Sequence, residues 1–245
     1  MSNISFIVTT FNYETYIEEC LQSILNQDQF DKNKVIIVDD GSQDNTYKII
    51  KKYLSKPFIE YCHIENSGVE VAANYAINKI ESTYFTRIDA DDSLKSRYLT
   101  QFNKAIDLNK NYDFIYSNYS IINHLSDSVN DIKLPVFDKE EIFKRGDFLA
   151  TGTLYKKEAI NLINKYDTSK KNCGLENYSL ILRLIIKNYS GLHIPYSLFN
   201  YRIHSNNMSK KRKEAILKYG NELKKKLLNR PYEVNCNHPY GLKID

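Results

Sequence analysis

Residues 34–46, KVIIVDDGSQDNT, decide the architecture. A β-branched run from Val35 to Val38 ends in two carboxylates, a glycine and a cluster of turn residues, and YKIIKKYLSK (47–56) then resumes with apolar residues at helical spacing. A buried strand that passes through a polar turn into an amphipathic helix is half of a βαβ unit. The same pattern recurs on either side. ISFIVTT (4–10) precedes YETYIEECLQSILNQ (13–27), where Tyr16, Ile17, Cys20, Leu21, Ile24 and Leu25 make one apolar stripe. FIEYCHI (58–64) precedes a helical VEVAANYAINKI (69–80), and YFTRIDA (84–90) closes the series. Strands alternating with helices predict an α/β fold with a mostly parallel central sheet.

From about Asn111 the rhythm changes. YDFIYSNYSII (112–122) reads as a strand, HLSDSVNDIKLP (124–135) as an exposed loop or hairpin, and DKEEIFKRG (138–146) as a short helix. GTLYKKEAINLINKY (152–166) and ENYSLILRLIIKNY (176–189) read as two more helices. No Gly/Ser linker separates the halves, so residues 1–110 and 111–208 are expected to share one sheet. Residues 209–245 form an extension that begins with a basic helix over 209–230, with Ile216, Tyr219, Leu223 and Leu227 on one face.

The 245 residues carry a net charge of +4, and their apolar and charged fractions are ordinary for a globular chain. Four cysteines lie far apart with no C-x-x-C pair, which disfavours a zinc site or a disulfide framework. The N-terminus shows no basic region followed by an apolar core, and no apolar run approaches the roughly 18 residues needed to cross a bilayer. A cytoplasmic protein with reduced thiols is expected.

Four polar loops, TTFNYE, DDGSQDNT, ENSG and DADDS, follow the four strands and therefore collect at one sheet edge. In open α/β sheets that edge binds ligands. Asp89, Asp91 and Asp92 suit a divalent cation that neutralises phosphates, or else an Asx turn or a cap for a helix starting near Ser93. Asp39 and Asp40 repel one another unless a partner compensates, and Gly41 permits the tight turn after them. No G-x-G-x-x-G or P-loop pattern follows any strand.

In order and spacing these segments resemble the family 2 glycosyltransferases, from Ile4 to about Ser209. FIVTTFNYETYIEECLQSILNQ resembles the opening strand and helix, VIIVDDGSQDNT the second strand with its acidic pair, ENSGVEVAANYAI the Gly-containing third loop, and RIDADDSL the DXD segment. The resemblance implies a GT-A fold, a single Rossmann-like domain with a C-terminal helical extension. It also implies inverting transfer from a nucleoside-diphosphate sugar, a UDP-sugar foremost, to a saccharide or lipid-linked acceptor in surface polysaccharide synthesis, with Mn2+ or Mg2+ as cofactor. Thr9, Phe11, Asn12, Glu14, Asp39, Asp40, Gly68, Asn74, Asp89 and Asp91 then become nucleotide contacts, and Gly152 and Thr153, in ATGTLYKKEAI, donor or acceptor contacts. Asp91, Asp92 and His204, in YRIHSNNMS, become the metal set.

Two departures stand out. Relatives commonly carry Glu-Asp where this chain has Glu176-Asn177, and an amide cannot take up a proton, so the role of base passes to Glu176, the favoured candidate, or to another carboxylate, unless transfer activity is lost. Many relatives have Arg where this chain has Ala73. A nucleotidyltransferase is the nearest alternative enzyme, but TTFNYETY lacks the Gly- and Arg/Lys-rich loop it needs. Asn177 motivates the other alternative, a non-catalytic nucleotide-sugar-binding or scaffold domain. Lys210, Lys211, Arg212, Lys213, Lys224, Lys225 and Lys226 suit either a solvated face or peripheral contact with anionic lipid. Nucleic acid is not an expected partner.

Overall fold

A computed structural model describes residues 3–28, 30, 33–108, 112–148 and 151–238, with nothing assigned to the side chains of 209 and 210. The first half alternates β1 (Ile4–Thr10), α1 (Ile17–Leu25), β2 (Lys34–Asp39), α2 (Thr46–Ile50), β3 (Ile59–His63), α3 (Val69–Lys79) and β4 (Tyr84–Asp89). β1 is buried along its whole length, as a strand with parallel neighbours on both sides and helices over both faces must be. Register sets the chemistry at its end: Thr9 lies opposite Asp89 of β4, and Thr10 opposite Asp39 of β2. Three polar strand ends therefore share one row.

The second half contains β5 (Ser93–Leu94), α4 (Tyr98–Leu108), β6 (Phe114–Ile122), β7 (Ser128–Ile132), α5 (Lys139–Arg145), β8 (Leu154–Lys156), α6 (Lys157–Leu162), α7 (Glu176–Ile186), β9 (Gly191–Arg202), α8 (Met208–Lys211) and α9 (Lys213–Leu228). Among the described residues the strands form one sheet in the order β3-β2-β1-β4-β8-β6-β9-β5, with β7 pairing β6 off this path. β1 to β4 are mutually parallel, β8 runs antiparallel to both β4 and β6, and β9 is parallel to β6. One sheet thus spans both halves. The division expected at 110–111, Ala150 and the final residues 239–245 lie outside the described residues.

Several local expectations change. The helix expected over 152–166 is a three-residue strand, β8, followed by α6, because three residues are too few to show a period of two. Twelve-residue β9, GLHIPYSLFNYR, has no clean alternation and contains Pro195, so its sequence gave no strand signal. No helix starts near Ser93; β5 does, pairing with Asn200 and Phe199 of β9, and α4 begins at Tyr98. α2 ends at Ile50 and tightens into a 3-10 turn, Lys51–Tyr53. The stretch 124–135 is a hairpin arm on β6, and Tyr16 precedes α1 rather than joining its buried face.

The basic C-terminal segment divides at Arg212 into α8 and α9. Ile216, Tyr219 and Leu223 dock α9 on the core, with Leu227 packed at its margin. Lys224 belongs to that docked face: its side chain is fully buried, Nζ donates to the Phe143 carbonyl at 2.5 Å, and burial lowers its pKa. It is therefore removed from the cluster expected to face lipid, whereas Lys213, Lys225 and Lys226 remain exposed. No helix among the described residues is long and apolar enough to cross a membrane.

Gly191 starts β9 where the Phe114 ring occupies the space of a side chain; a Cβ there would lie 2.2 Å from Phe114 Cε2. Gly191→Ala is expected to lower unfolding free energy by about 1–3 kcal/mol through overpacking, read from the denaturant midpoint. An unchanged midpoint would show that the β6–β9 seam tolerates extra volume.

Candidate functional site

A cleft of about 560 Å³ opens at the carboxyl ends of β1 and β4. Thr9, Phe11 and Asn12 enter it from β1 and the following loop, Asp40 from the end of β2, Asp89 and Asp91 from β4, Glu176 from the start of α7, and His204 from beyond β9. These are five separate chain segments brought together at one sheet edge.

The two polar loops beside the cleft are tied to each other. Asn12, at φ +58°, accepts from Gln43 N at 2.8 Å and donates its own N–H to Ser42 Oγ at 2.9 Å. Glu14 does not line the cleft: its Oε2 accepts from Asn45 N and Nδ2, at 2.8 and 2.7 Å. The repulsion anticipated between Asp39 and Asp40 is met inside the protein. Asp39 accepts from Ser42 N at 2.8 Å and Tyr61 Oη at 3.0 Å, and Asp40 accepts from the N–H groups of Ser67 and Gly68 at 2.6 and 2.8 Å. Asp39 is thus fully buried behind the wall, while Asp40 faces the cleft. Gly68 sits at φ +99°, and a Cβ on it would meet Lys171 Cγ at 2.7 Å, so the loop needs glycine there.

The three aspartates of DADD separate by role. Asp89 receives Thr9 Oγ1 at 3.5 Å and Arg87 Nη2 at 3.2 Å, and its carboxyl is pushed up to about 6 by desolvation first, with Arg87 opposing and the charges of Asp91 and Glu176 adding. Asp91 Oδ2 accepts from His204 Nε2 at 2.9 Å. The backbone N–H of Asn206 donates to His204 Nδ1 at 3.1 Å. Asp92 turns away: Oδ1 accepts from Arg202 N at 2.9 Å and Oδ2 from Thr151 Oγ1 at 2.8 Å, and it does not line the cleft. Burial, then the neighbouring Asp91 and Asp89 charges, raises its carboxyl well above the ordinary range. Expected as a metal ligand, Asp92 has both oxygens committed to holding β9 and the 151 loop. A carboxylate and an imidazole facing each other at 2.9 Å, with Asp89 beside them, are the donor set that suits Mn2+ or Mg2+.

Glu176 accepts from Arg87 Nη2 at 2.9 Å, so one fully buried guanidinium bridges Glu176 and Asp89 and lies 5.4 Å from the Tyr166 ring centre. Asn177 does not line the cleft; its Oδ1 accepts from Tyr166 Oη at 3.2 Å. Glu70, buried at the start of α3, accepts from Asn172 N and Cys173 N, both at 2.8 Å, and so fixes the turn that leads into Glu176. Glu70, Cys173 and Glu176 bring one ligand-type atom each within 4.8 Å of one another, but those hydrogen bonds and the Arg87 ion pair already occupy the carboxylates.

Three more expected contacts are structural. Asn74 pairs both ends of its amide with the Tyr166 backbone, at 2.9 Å each, outside the cleft. Gly152 donates its N–H to Arg87 O at 2.9 Å and accepts from Tyr98 Oη at 2.8 Å, while a Cβ on it would press on Phe199; neither it nor buried Thr153 reaches the cleft. Conversely, Tyr13 and Tyr16 were not anticipated as site residues. Their rings lie 6.2 and 5.1 Å from the His204 ring, and burial, then Asp91, raises the Tyr13 phenol. Their signal was the FNYETY spacing directly after a strand. Arg87 and Arg202, both fully buried, had no sequence signal beyond a cation in an apolar run.

Residues 5–161 match the model of the family described as Glycosyl transferase family 2. The chain is 27% identical over 227 residues to glycosyltransferase GlyA of Streptococcus pneumoniae serotype 4, covering 84% of this chain and 31% of that protein. It is 28% identical over 216 residues to the O-antigen biosynthesis glycosyltransferase WbnJ of Escherichia coli, covering 84% and 82%. The chain therefore spans under a third of the first relative and most of the second. Among solved structures, S. aureus TarS 1–349 in complex with UDP-GlcNAc superposes with TM-score 0.76 at 18% identity, covering 93% of this chain and 67% of that one. The mannosyltransferase PcManGT of Pyrobaculum calidifontis, in complex with GDP-Man and Mn2+, gives 0.71 at 16%, covering 96% and 66%.

Removing a buried cation that holds several partners strands them all. Arg202→Met is expected to cost about 3–5 kcal/mol in chemical denaturation, and Asp92→Ala about 1–3 kcal/mol through two unmet donors. If Asp92→Ala left stability unchanged, its assignment as a structural clamp would fail.

Proposed function

The chain belongs to glycosyl transferase family 2 and has the GT-A fold, and from that premise we propose that it moves a sugar from a nucleoside-diphosphate sugar, a UDP-sugar foremost, to a saccharide or lipid-linked hydroxyl with inversion. Surface polysaccharide synthesis is the setting this reading favours, supported by the likeness to WbnJ over 82% of that protein's length. The observation that carries the reading is the convergence of Asp89, Asp91, His204 and Glu176, from three distant segments, on one cleft at the carboxyl edge of the sheet.

Thr9, Phe11, Asn12 and Asp40 would line the nucleoside end, with Asp39 bracing the wall behind. Asp91 and His204 would hold a divalent cation, with Asp89 adjoining, and PcManGT's complex with Mn2+ supports this. Bound there, such an ion supplies positive charge against the departing diphosphate. Glu176 takes the hydroxyl proton as the acceptor oxygen attacks the anomeric carbon; the bond from that carbon to the diphosphate breaks, and its electron pair leaves with the diphosphate. One displacement inverts the centre. Arg87 aims Glu176, holding its Oε1 at 2.9 Å from the buried guanidinium. The amide of Asn177 takes no part in the proton transfer. The Arg87 ion pair is also what favours the second reading, a non-catalytic nucleotide-sugar-binding domain, because it already engages a carboxylate oxygen of Glu176.

With a panel of nucleotide sugars and Mn2+, the wild-type chain is expected to release nucleoside diphosphate, and EDTA to stop it. Glu176→Gln should cut kcat by about 10²–10⁴ while sparing donor affinity measured by calorimetry. Donor binding with no release in the wild type would select the non-catalytic reading. For Asp91→Asn the expected outcome is loss of the Mn2+-dependent part of diphosphate binding, and retention of that part would remove Asp91 from the metal set.

A further inference from the structure

The charge on the cleft wall is uneven. Asp40, Asp89, Asp91 and Glu176 bring four carboxylates, whereas fixed positive charge enters, among the described residues that line it, only from Lys211 and Arg212. Arg87 and Arg202 lie beneath the floor and are each spent in ion pairs, with Asp89 and Glu176 and with Glu19. Lys211 and Arg212 are different. Both are exposed, and among the described residues neither is paired with a carboxylate. Lys211 Nζ donates to Asn206 Oδ1 at 2.7 Å, and Arg212 Nη1 to the carbonyls of Asn172 at 2.6 Å and Lys171 at 3.4 Å. Those neutral acceptors hold the two cations over the cleft without cancelling their charge. A phosphate oxygen is the stronger acceptor for each.

We propose that Lys211 and Arg212 form the subsite that takes the diphosphate of the nucleotide donor, an assignment that rests on the nucleotide-sugar reading above. Ala73, where the family resemblance implies an arginine, is fully buried and does not line the cleft, although its neighbour Ala72 does. α3 brings no cation to the cleft lining among the described residues, and the junction of α8 and α9 does. That junction follows His204 by less than ten residues, on the same wall as Asn206, Asn207 and Met208. Apart from the cation that Asp91 and His204 would hold, this wall is where the described lining attracts rather than repels the two negative charges of a diphosphate. The pair sits where the basic segment breaks between α8 and α9.

Calorimetry with UDP against UMP, and GDP against GMP, each with Mn2+, tests the assignment. Lys211→Met/Arg212→Met, confirmed folded by its melting curve, should weaken the diphosphate of the preferred base by about tenfold or more and the monophosphate by much less, so that their affinity ratio shrinks. Lys211→Arg should preserve the ratio. An unchanged ratio in the double variant, whether both affinities hold or fall together, would overturn the subsite and leave the donor reading standing. Absence of any UDP or GDP binding by the wild type would overturn both.

Discussion

A single buried guanidinium organises this molecule. Arg202, at the end of β9, donates Nε to the Asp91 carbonyl at 2.7 Å and Nη1 to Asn123 O and Ser126 Oγ, pairs with Glu19 of α1, and stacks 4.8 Å from the Tyr16 ring centre. Its backbone N–H meets Asp92. A charge removed from water must be met on every side or it destabilises the fold. Meeting this one draws the DADD turn, the start of α1, the β6–β7 hairpin and the final strand to a common point. His204, two residues on, is delivered to Asp91 as a consequence.

The cleft above follows the same logic of partners. Its carboxylates would repel one another if left bare, so the fold assigns each a donor: backbone N–H groups to Asp40, a phenol and an N–H to Asp39, Arg87 to Asp89 and Glu176 together. What remains less compensated is the face between Asp91, His204 and the Lys211–Arg212 wall. Electrostatic demand for a cation and for an anionic ligand is concentrated there.

The parallel half of the fold was legible because buried strands and amphipathic helices have different periods, and ISFIVTT, KVIIVDD and their helices display them plainly. The row of polar strand ends followed from topology alone. β8 and β9 were not legible, the first because three residues hold no period and the second because its length is irregular and interrupted by Pro195. Among site residues, Thr9, Phe11, Asn12, Asp40, Asp89, Asp91, Glu176 and His204 do meet in the cleft. Asp92, Glu14, Asn74, Gly152 and Asn177 match the same motifs in sequence yet serve the scaffold, since a carboxylate or amide looks alike in a motif whether it faces a ligand or a backbone N–H.

By itself the sequence determined the alternation of strand and helix, the carboxylates at the strand ends and an amide, not a carboxylate, at Asn177, because these depend on local periodicity and residue chemistry. Which aspartate of DADD turns to the cleft, which cation pairs with Glu176, and that Lys211 and Arg212 rather than an α3 side chain bring positive charge to it were decided only by tertiary structure. The first two outcomes rest on which hydrogen-bond donors lie within 3 Å once segments about 60 to 110 residues apart have packed, and no local pattern encodes that distance.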